Sequence, residues 1–569
     1  MNQKVNNQEI LKPILIWGLI AIILAFLIYD RHKDTGTFNW MTPLWADQAG
    51  YYVYLPAFFI YDFNADKFPE GIDEKTGEGF SFDRETNKVI TRYSNGVALL
   101  QSPFFLVIHI YAAISGQPQD GFSGIYHQVP NLAALFYAIT GLFFLWHFLR
   151  KYYKCHVTAT TILILFLGTN LFYYTIDSTG MSHIYSFALF AAIARVTQIM
   201  LSVTKEKQWV FVFAWSLLFA LIVLVRPTNV MFFPFLFTLE LNSPADLINR
   251  IRTFANVRNI LILMVSFLIV FAPQFLYWKY LSGSYIHYSY GEYGFTNLTS
   301  PKILQLWFSP NNGMFLYNPI YLVVIAAMVI KLTNKKSSLN DYIIPVTFLA
   351  LTYVFSAWFI FSFGCGYGSR NFVEYNVMFA IPMAYFIKRI GKMNNRSRVS
   401  LSLIIIFMVF FNIRLLVLYN RCYQGGDWDF KEYTSYFYVP EKYHDKVKIG
   451  KEERILTSDI EFSKSLHLVP EEISLTRFKK ALVKLDVVLH NTDSDALLVL
   501  SIENQDSVVY WNSIRLIEHV PENKLNTKQR IRGEFWLPER IPENSKMATY
   551  VWNLKKEALE IHTLKITLE

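Results

Sequence analysis

Cysteine is nearly missing from this chain: Cys155, Cys365 and Cys422 are the only three in 569 residues, and their spacing forms no metal-ligand pattern. A zinc scaffold and a disulfide framework are thereby excluded. With Cys155 facing the cytoplasm in the topology reached below, one Cys365–Cys422 disulfide is the most that is conceivable, and free structural thiols are the simpler reading. No Walker loop, no dinucleotide glycine pattern after a strand and no zincin His pair occurs, so ATP-driven transport has no support. Charge within the apolar stretches is also scarce. Lys and Arg sit at their ends, which disfavours the buried ion relays of secondary transporters.

Apolar surface is what abounds. Hydrophobic residues make up 53% and aromatics 17%, with a mean hydropathy of +0.26, so lipid is the main solvent of this chain and the class is polytopic membrane protein. The net charge of +9 comes from short basic clusters between apolar runs. That is the positive-inside bias, and nucleic acid is not an expected partner.

The first run, Pro13 to Tyr29, follows a polar start with Lys4 and Lys12 and lacks a small-residue cleavage site, so it reads as a retained helix with a cytoplasmic N-terminus. A large outer loop over 30–125 follows. Within it, Ala98 to Ser115 is apolar, but counting it as a crossing would send Arg150, Lys151 and Lys154 outside and invert every later loop. It is therefore expected to be a re-entrant or interfacial helix, interrupted by Gln101, Pro103 and His109. Spans at 126–149, 157–176, 182–203, 209–225, 228–240, 259–281, 313–332, 341–362, 372–387 and 400–419 put the remaining basic clusters in phase. The total is about eleven transmembrane helices, with 228–240 short and tilted or broken at Pro234. After a linker over 421–455, alternating runs such as Ala481 to Leu489 and Met547 to Trp552 predict an all-β sandwich over 456–569. It falls outside the cytoplasm, in a protein of the inner membrane.

Four stretches that could do chemistry share the outer side. In Trp45-Ala-Asp-Gln-Ala-Gly-Tyr-Tyr-Val-Tyr54, Asp47 is either a solvated loop acid or a group held at the bilayer rim by aromatics suited to a membrane surface. Asp177 and His183 bracket a short turn, where His183 is either a hydrogen-bonded structural residue or a group that orients an acceptor or binds a metal beside Asp47. Asn311, Asn312 and Asn318, around Gly313 and two prolines, either bond sugar hydroxyls or cap a helix. Gly366-Tyr-Gly-Ser-Arg370 offers backbone that can approach a ligand and a guanidinium suited to phosphate, against a snorkelling role for Arg370. Arg226, in Val225-Arg-Pro-Thr-Asn229, has the same two readings.

In this order the stretches resemble the GT-C class of integral-membrane glycosyltransferases, in particular the branch of protein O-mannosyltransferases and lipid A aminoarabinose transferase, over roughly residues 10 to 420. Asp47 matches the acid that the class carries in its first outer loop, which implies a base or metal-linked role. Arg92 to Phe105 is similar to the proline-containing juxtamembrane helix of the class. His183 stands where many members have a second acid, and Asn311 replaces the Arg of a Ser-Pro-Arg-x-Gly pattern. Gly366 to Arg370 matches the glycine-rich stretch with Arg. The C-terminal part, with Tyr550-Val-Trp-Asn553, is similar to small jelly-roll modules.

The resemblance implies transfer of a sugar, with inversion, from a polyprenyl-phosphate-linked donor to a glycan, lipid or protein acceptor at the outer membrane face. Asp47 would act as base or, with His183, hold a divalent Mg, Mn or Zn ion. Arg370 and Arg226 would bind the donor phosphate, His183 would position one partner, and Arg92, Asp177, Asn311, Asn312 and Asn318 would contact substrate. The rival reading is a non-enzymatic transporter or scaffold for envelope polysaccharide whose C-terminal module grips glycan.

Overall fold

The structure is a computed structural model. It describes residues 7–418 apart from 34, 39, 292, 334–336 and 365, then 430–435, and 454–568 apart from 457–459, 464, 469–477, 479, 505–506, 522–523, 539–540 and 543–544. Cys365 and Cys422, and with them the conceivable disulfide, lie outside the described residues, as does most of the expected linker. Cys155 is a free, exposed thiol. Within the linker the short helix Phe430–Ser435 is described, and its Tyr433 hydroxyl donates to the Leu316 carbonyl at 2.7 Å.

Among the described residues eight helices are long and apolar enough to cross a membrane: Leu15–His32, Gly96–Ser115, Gly124–Arg150, Ser182–Ser202, Lys205–Val225, Val257–Ser282, Leu339–Ser356 and Asn395–Val417. Four other expected spans are shorter or interrupted. The run 157–176 divides into Cys155–Gly168 and Leu171–Ile176 around Thr169 and Asn170. The run 313–332 becomes Met314–Tyr317 and then Ile320–Leu332, parted at Pro319, and 372–387 becomes Asn376–Ile390.

The fourth, 228–240, is a 3-10 turn, Pro227–Phe232, followed by the six-residue helix Phe233–Thr238 with Pro234 in its first turn. Irregular backbone is tolerated at membrane depth only where protein satisfies it. Arg250 does so here: its buried guanidinium donates to the carbonyls of Leu236, Phe237 and Leu239 at 3.3, 2.5 and 2.8 Å.

The two ends of the bundle differ in charge. Lys151 pairs with Glu240 at 2.6 Å, Lys331 with Asp341, and Lys388 lies 5.9 Å over the Tyr153 ring, so the basic clusters gather at one end. Asp47, Asp177, His183, Arg226 and Arg370 gather at the other, around a cavity. The Gly96–Ser115 helix begins at this cavity end and packs along the first loop. The Asn95 amide donates to Gln274 at 2.8 Å and Gly96 packs on the Val225 backbone, while Phe105 and His109 pack on Tyr126, just before the next helix starts. By length and composition this helix could itself cross a membrane.

The first loop has a core of its own, including Tyr52, Tyr54, Phe68, Phe80, Phe105, Phe122 and Tyr126. Tyr51, Tyr52 and Tyr54, expected at a membrane surface, are instead buried. The Tyr52 hydroxyl donates to the Gly121 carbonyl at 2.7 Å and that of Tyr54 to Tyr93 at 2.6 Å, which settles their polar tips inside a dry core. Phe58 and Phe59 are the exposed aromatics of this stretch.

The C-terminal sandwich pairs a sheet ordered Arg454–Leu456, Leu559–Leu568, Lys480–Leu489, Gln529–Trp536 with one ordered Leu466–Leu468, Lys546–Trp552, Leu497–Asn504, Ser507–Arg515, all antiparallel. This order, with most successive strands in opposite sheets, is that of a jelly roll. Ala481, Val483, Leu485, Val487 and Leu489 alternate into the core, and outward Asp486 is held by Arg530 at 2.7 Å. The sandwich stands on the cavity side, where the Thr37 hydroxyl donates to the Glu518 carbonyl at 3.0 Å.

Sidedness is testable in a background in which Cys155, Cys365 and Cys422 are replaced by serine. An impermeant maleimide is expected to label Asn512→Cys in intact cells, and Lys205→Cys only after permeabilisation. Labelling at 205 from outside would invert the orientation.

Candidate functional site

Asp47 opens the short helix Asp47–Tyr52, whose approach is tightly packed. Ala46 has φ 49°, a strained value for a residue with a Cβ. Its amide donates to the Thr76 carbonyl at 2.8 Å, and a Cβ on Gly79 would fall 1.8 Å from the Ala46 oxygen. Only glycine at 79 allows this approach, so the direction of Asp47 is set by the hairpin side of the loop.

Two carboxylate–guanidinium groups face one cavity of about 650 Å³. In the first, Asp47 Oδ2 accepts from Arg370 Nη2 at 2.8 Å and Oδ1 from the Tyr93 hydroxyl at 2.5 Å. Burial alone would raise the Asp47 carboxyl, but Arg370, the Tyr93 hydroxyl and Arg92 together hold it below the ordinary aspartate range. Burial alone would likewise lower Arg370; the Asp47 charge outweighs it and the guanidinium is raised.

The second group joins three segments. Glu374 Oε1 accepts from Arg226 Nη1 at 3.1 Å, and Glu374 Oε2 lies 3.1 Å from His183 Nδ1. Arg226 Nη1 is also 3.0 Å from that nitrogen, and Arg226 Nη2 donates to Asn371 Oδ1. Glu374 and His183 are fully buried, with the His183 ring 4.6 Å from that of Tyr174.

Asp47, His183, Arg226, Arg370, Arg92 and Asp177 thus line one cavity. Asp177 is paired with Arg31 at 2.5 Å, and Arg92 is exposed beside Tyr93. Asn311, Asn312 and Asn318, expected to bond sugar hydroxyls, are not among the lining residues. Asn312 Nδ2 donates to the carbonyls of Ser362 and Gly364, each at 3.0 Å, and Asn318 packs against Gly368. Asn311 is buried, its amide donating to the Ser309 hydroxyl at 3.0 Å. These asparagines hold the loop that carries Arg370. Of the glycines of that loop Gly364 and Gly366 line the cavity, while a Cβ on Gly366 would meet the Tyr174 hydroxyl at 2.7 Å and one on Gly368 the Asn318 amide at 2.4 Å.

Sequence reasoning missed Glu374, Tyr93 and Gln48, whose Oε1 accepts from the Gly180 amide at 2.8 Å. For Glu374 a signal existed: it is the one acid in the run Asn371 to Ile387, and a lone acid in such a run marks a site by default.

A divalent ion held by Asp47 and His183 does not fit these residues. Each already lies against a guanidinium, and among the described residues no group of three His, Cys, Asp or Glu could hold a metal.

Fold and site define a multi-pass helical membrane protein with a jelly roll beside a cationic cavity. No protein-family profile and no curated protein matches the sequence. Among solved structures the fold is similar to ArnT from Cupriavidus metallidurans bound to undecaprenyl phosphate, at 10% identity and TM-score 0.45, over 75% of this chain and 68% of that one. It is also similar to the oligosaccharyltransferase AglB from Archaeoglobus fulgidus in complex with an inhibitory peptide and a dolichol-phosphate. There the identity is 13% and the TM-score 0.42, over 70% of this chain and 55% of that one.

The depressed Asp47 carboxyl gives a pH dependence with a definite sign. A group lowered on folding contributes stability that is present above its unfolded value, about 3.9 for aspartate, and lost as pH falls through the folded value. The melting-temperature difference between the protein and Asp47→Asn is expected to stay constant from about pH 8 to 5 and to shrink only below about pH 4. A difference that already closes between pH 7 and 5 would contradict the pairing with Arg370.

Proposed function

We propose that this protein is a glycosyltransferase that moves a sugar from a polyprenyl-phosphate donor to an acceptor at the outer face of the cytoplasmic membrane. The observation that carries the reading is the charge of the cavity: Arg31, Arg92, Arg226 and Arg370 line it against Asp47 and Asp177. With Glu374 behind Arg226 counted, four guanidiniums stand against three carboxylates, a surplus of one positive charge suited to a phosphate, and the aromatic flank of Tyr290, Tyr293, Trp358 and Phe359 suits a prenyl chain.

In the resting site Arg370 is occupied by Asp47. A donor phosphate competes for that guanidinium, and the carboxylate it displaces becomes a stronger base. The acceptor oxygen attacks the anomeric carbon and its proton passes to Asp47. The carbon–oxygen bond to the phosphate breaks with its electron pair leaving on the lipid phosphate, which Arg370 stabilises. A single displacement inverts the anomeric centre. A lipid donor accounts for a site at headgroup level in a compartment without nucleotide sugars.

The direct test incubates purified protein with a panel of polyprenyl-phosphate sugars and follows release of lipid phosphate. Asp47→Asn keeps size and one acceptor oxygen but takes no proton, and is expected to cut transfer about a hundredfold to ten-thousandfold, or roughly 3–5 kcal/mol of barrier. Asp62→Asn and Asp83→Asn, in exposed turns, are expected to leave it nearly unchanged at equal membrane abundance. Substantial transfer by the Asp47 variant would remove the base from this mechanism.

A further inference from the structure

The two carboxylate–guanidinium groups of the cavity differ in their freedom to separate. Asp47 is 32% exposed and can turn into the cavity when another anion takes Arg370. Glu374 is fully buried and has nowhere to turn, and Arg226 is engaged by Glu374, His183 and Asn371 together. A buried carboxylate bridging two partners locks both, because withdrawing it would leave charge uncompensated in a dry site. It also neutralises much of the Arg226 charge seen from the cavity.

We propose that Glu374 is a positioning residue of the transfer site: it fixes His183 and Arg226 as a rigid, nearly neutral floor, so that Arg370 rather than Arg226 is the guanidinium that takes the donor phosphate. The inference rests on the glycosyltransferase reading and refines it, dividing two arginines that look equivalent in the sequence. His183 lines the cavity with Nδ1 turned to Glu374, which leaves its other edge to the bound sugar or acceptor. The floor therefore orients substrate, and its loss is felt in turnover rather than in phosphate affinity.

The experiment measures two quantities on full-length protein in nanodiscs: affinity for undecaprenyl phosphate, and turnover with the saturating sugar donor that wild type uses. Glu374→Gln has nearly the same shape but cannot neutralise Arg226. It is expected to bind the lipid phosphate as tightly as wild type or up to about tenfold more tightly, while kcat falls about tenfold to a hundredfold. Glu374→Asp, a carboxylate one methylene shorter, is expected to recover part of kcat. Arg226→Gln is expected to lower kcat with phosphate affinity within about threefold of wild type, and Arg370→Gln to lose phosphate affinity by at least about tenfold.

Turnover at the wild-type level in Glu374→Gln would overturn the proposal, as would loss of phosphate affinity in Arg226→Gln, a readout that does not depend on Glu374→Gln folding. If Arg370→Gln keeps full phosphate affinity, the phosphate-site reading beneath it fails instead, so the two failures are told apart.

Discussion

A single ion pair closes this molecule on itself. Asp47 and Arg370 stand 323 residues apart, one on the first long loop and the other between the helices Leu339–Ser356 and Asn376–Ile390, and their 2.8 Å contact ties these two distant segments together beside the cavity. Each group would be costly to leave alone in a site walled by aromatic rings, and each answers the other. Around this contact everything nearby is arranged for fit: Gly79 admits the turn before Asp47, Tyr93 completes its hydrogen bonding, and Asn312 and Asn318 brace the loop beneath Arg370.

The same rule, that charge near lipid must be answered, separates the two ends of the bundle. At the basic end the answers are local and structural: Glu240 for Lys151, Asp341 for Lys331, and three backbone carbonyls for Arg250. At the cavity end the answers converge on one space: Asp177 for Arg31, Asp47 for Arg370 and Glu374 for Arg226, with Arg92 exposed beside them. Arg250 shows how one residue type can satisfy both a topological bias and a local geometric need. Counted among the cytoplasmic positive charges, it is equally the cap of a helix that ends too soon.

Much of this was legible in the residues. Period-two alternation announced the sandwich, whereas the phase of the basic clusters argues for a one-sided Gly96–Ser115 and its length and hydropathy match a crossing. Asp47, His183, Arg226 and Arg370 were visible because each is a polar group at the edge of an apolar run. Glu374 was hidden by the opposite circumstance, since it lies within such a run and reads as part of a span. The tyrosines at 51, 52 and 54 were misplaced because a membrane surface and a dry aromatic core select the same side chain, an apolar ring with a polar tip. Asn311, Asn312 and Asn318 were ambiguous for a similar reason: asparagine bonds a backbone carbonyl and a sugar hydroxyl through the same amide.

The broken return between Arg226 and Glu240 has a consequence for depth. Six residues of 3-10 helix and six of α-helix rise about 21 Å, some 10 Å less than a hydrocarbon layer of about 30 Å. Arg226 follows directly on the full-length helix Lys205–Val225, so the shortfall is taken up within the return itself, by the extended Leu239 that leads to Glu240 and its tie to Lys151.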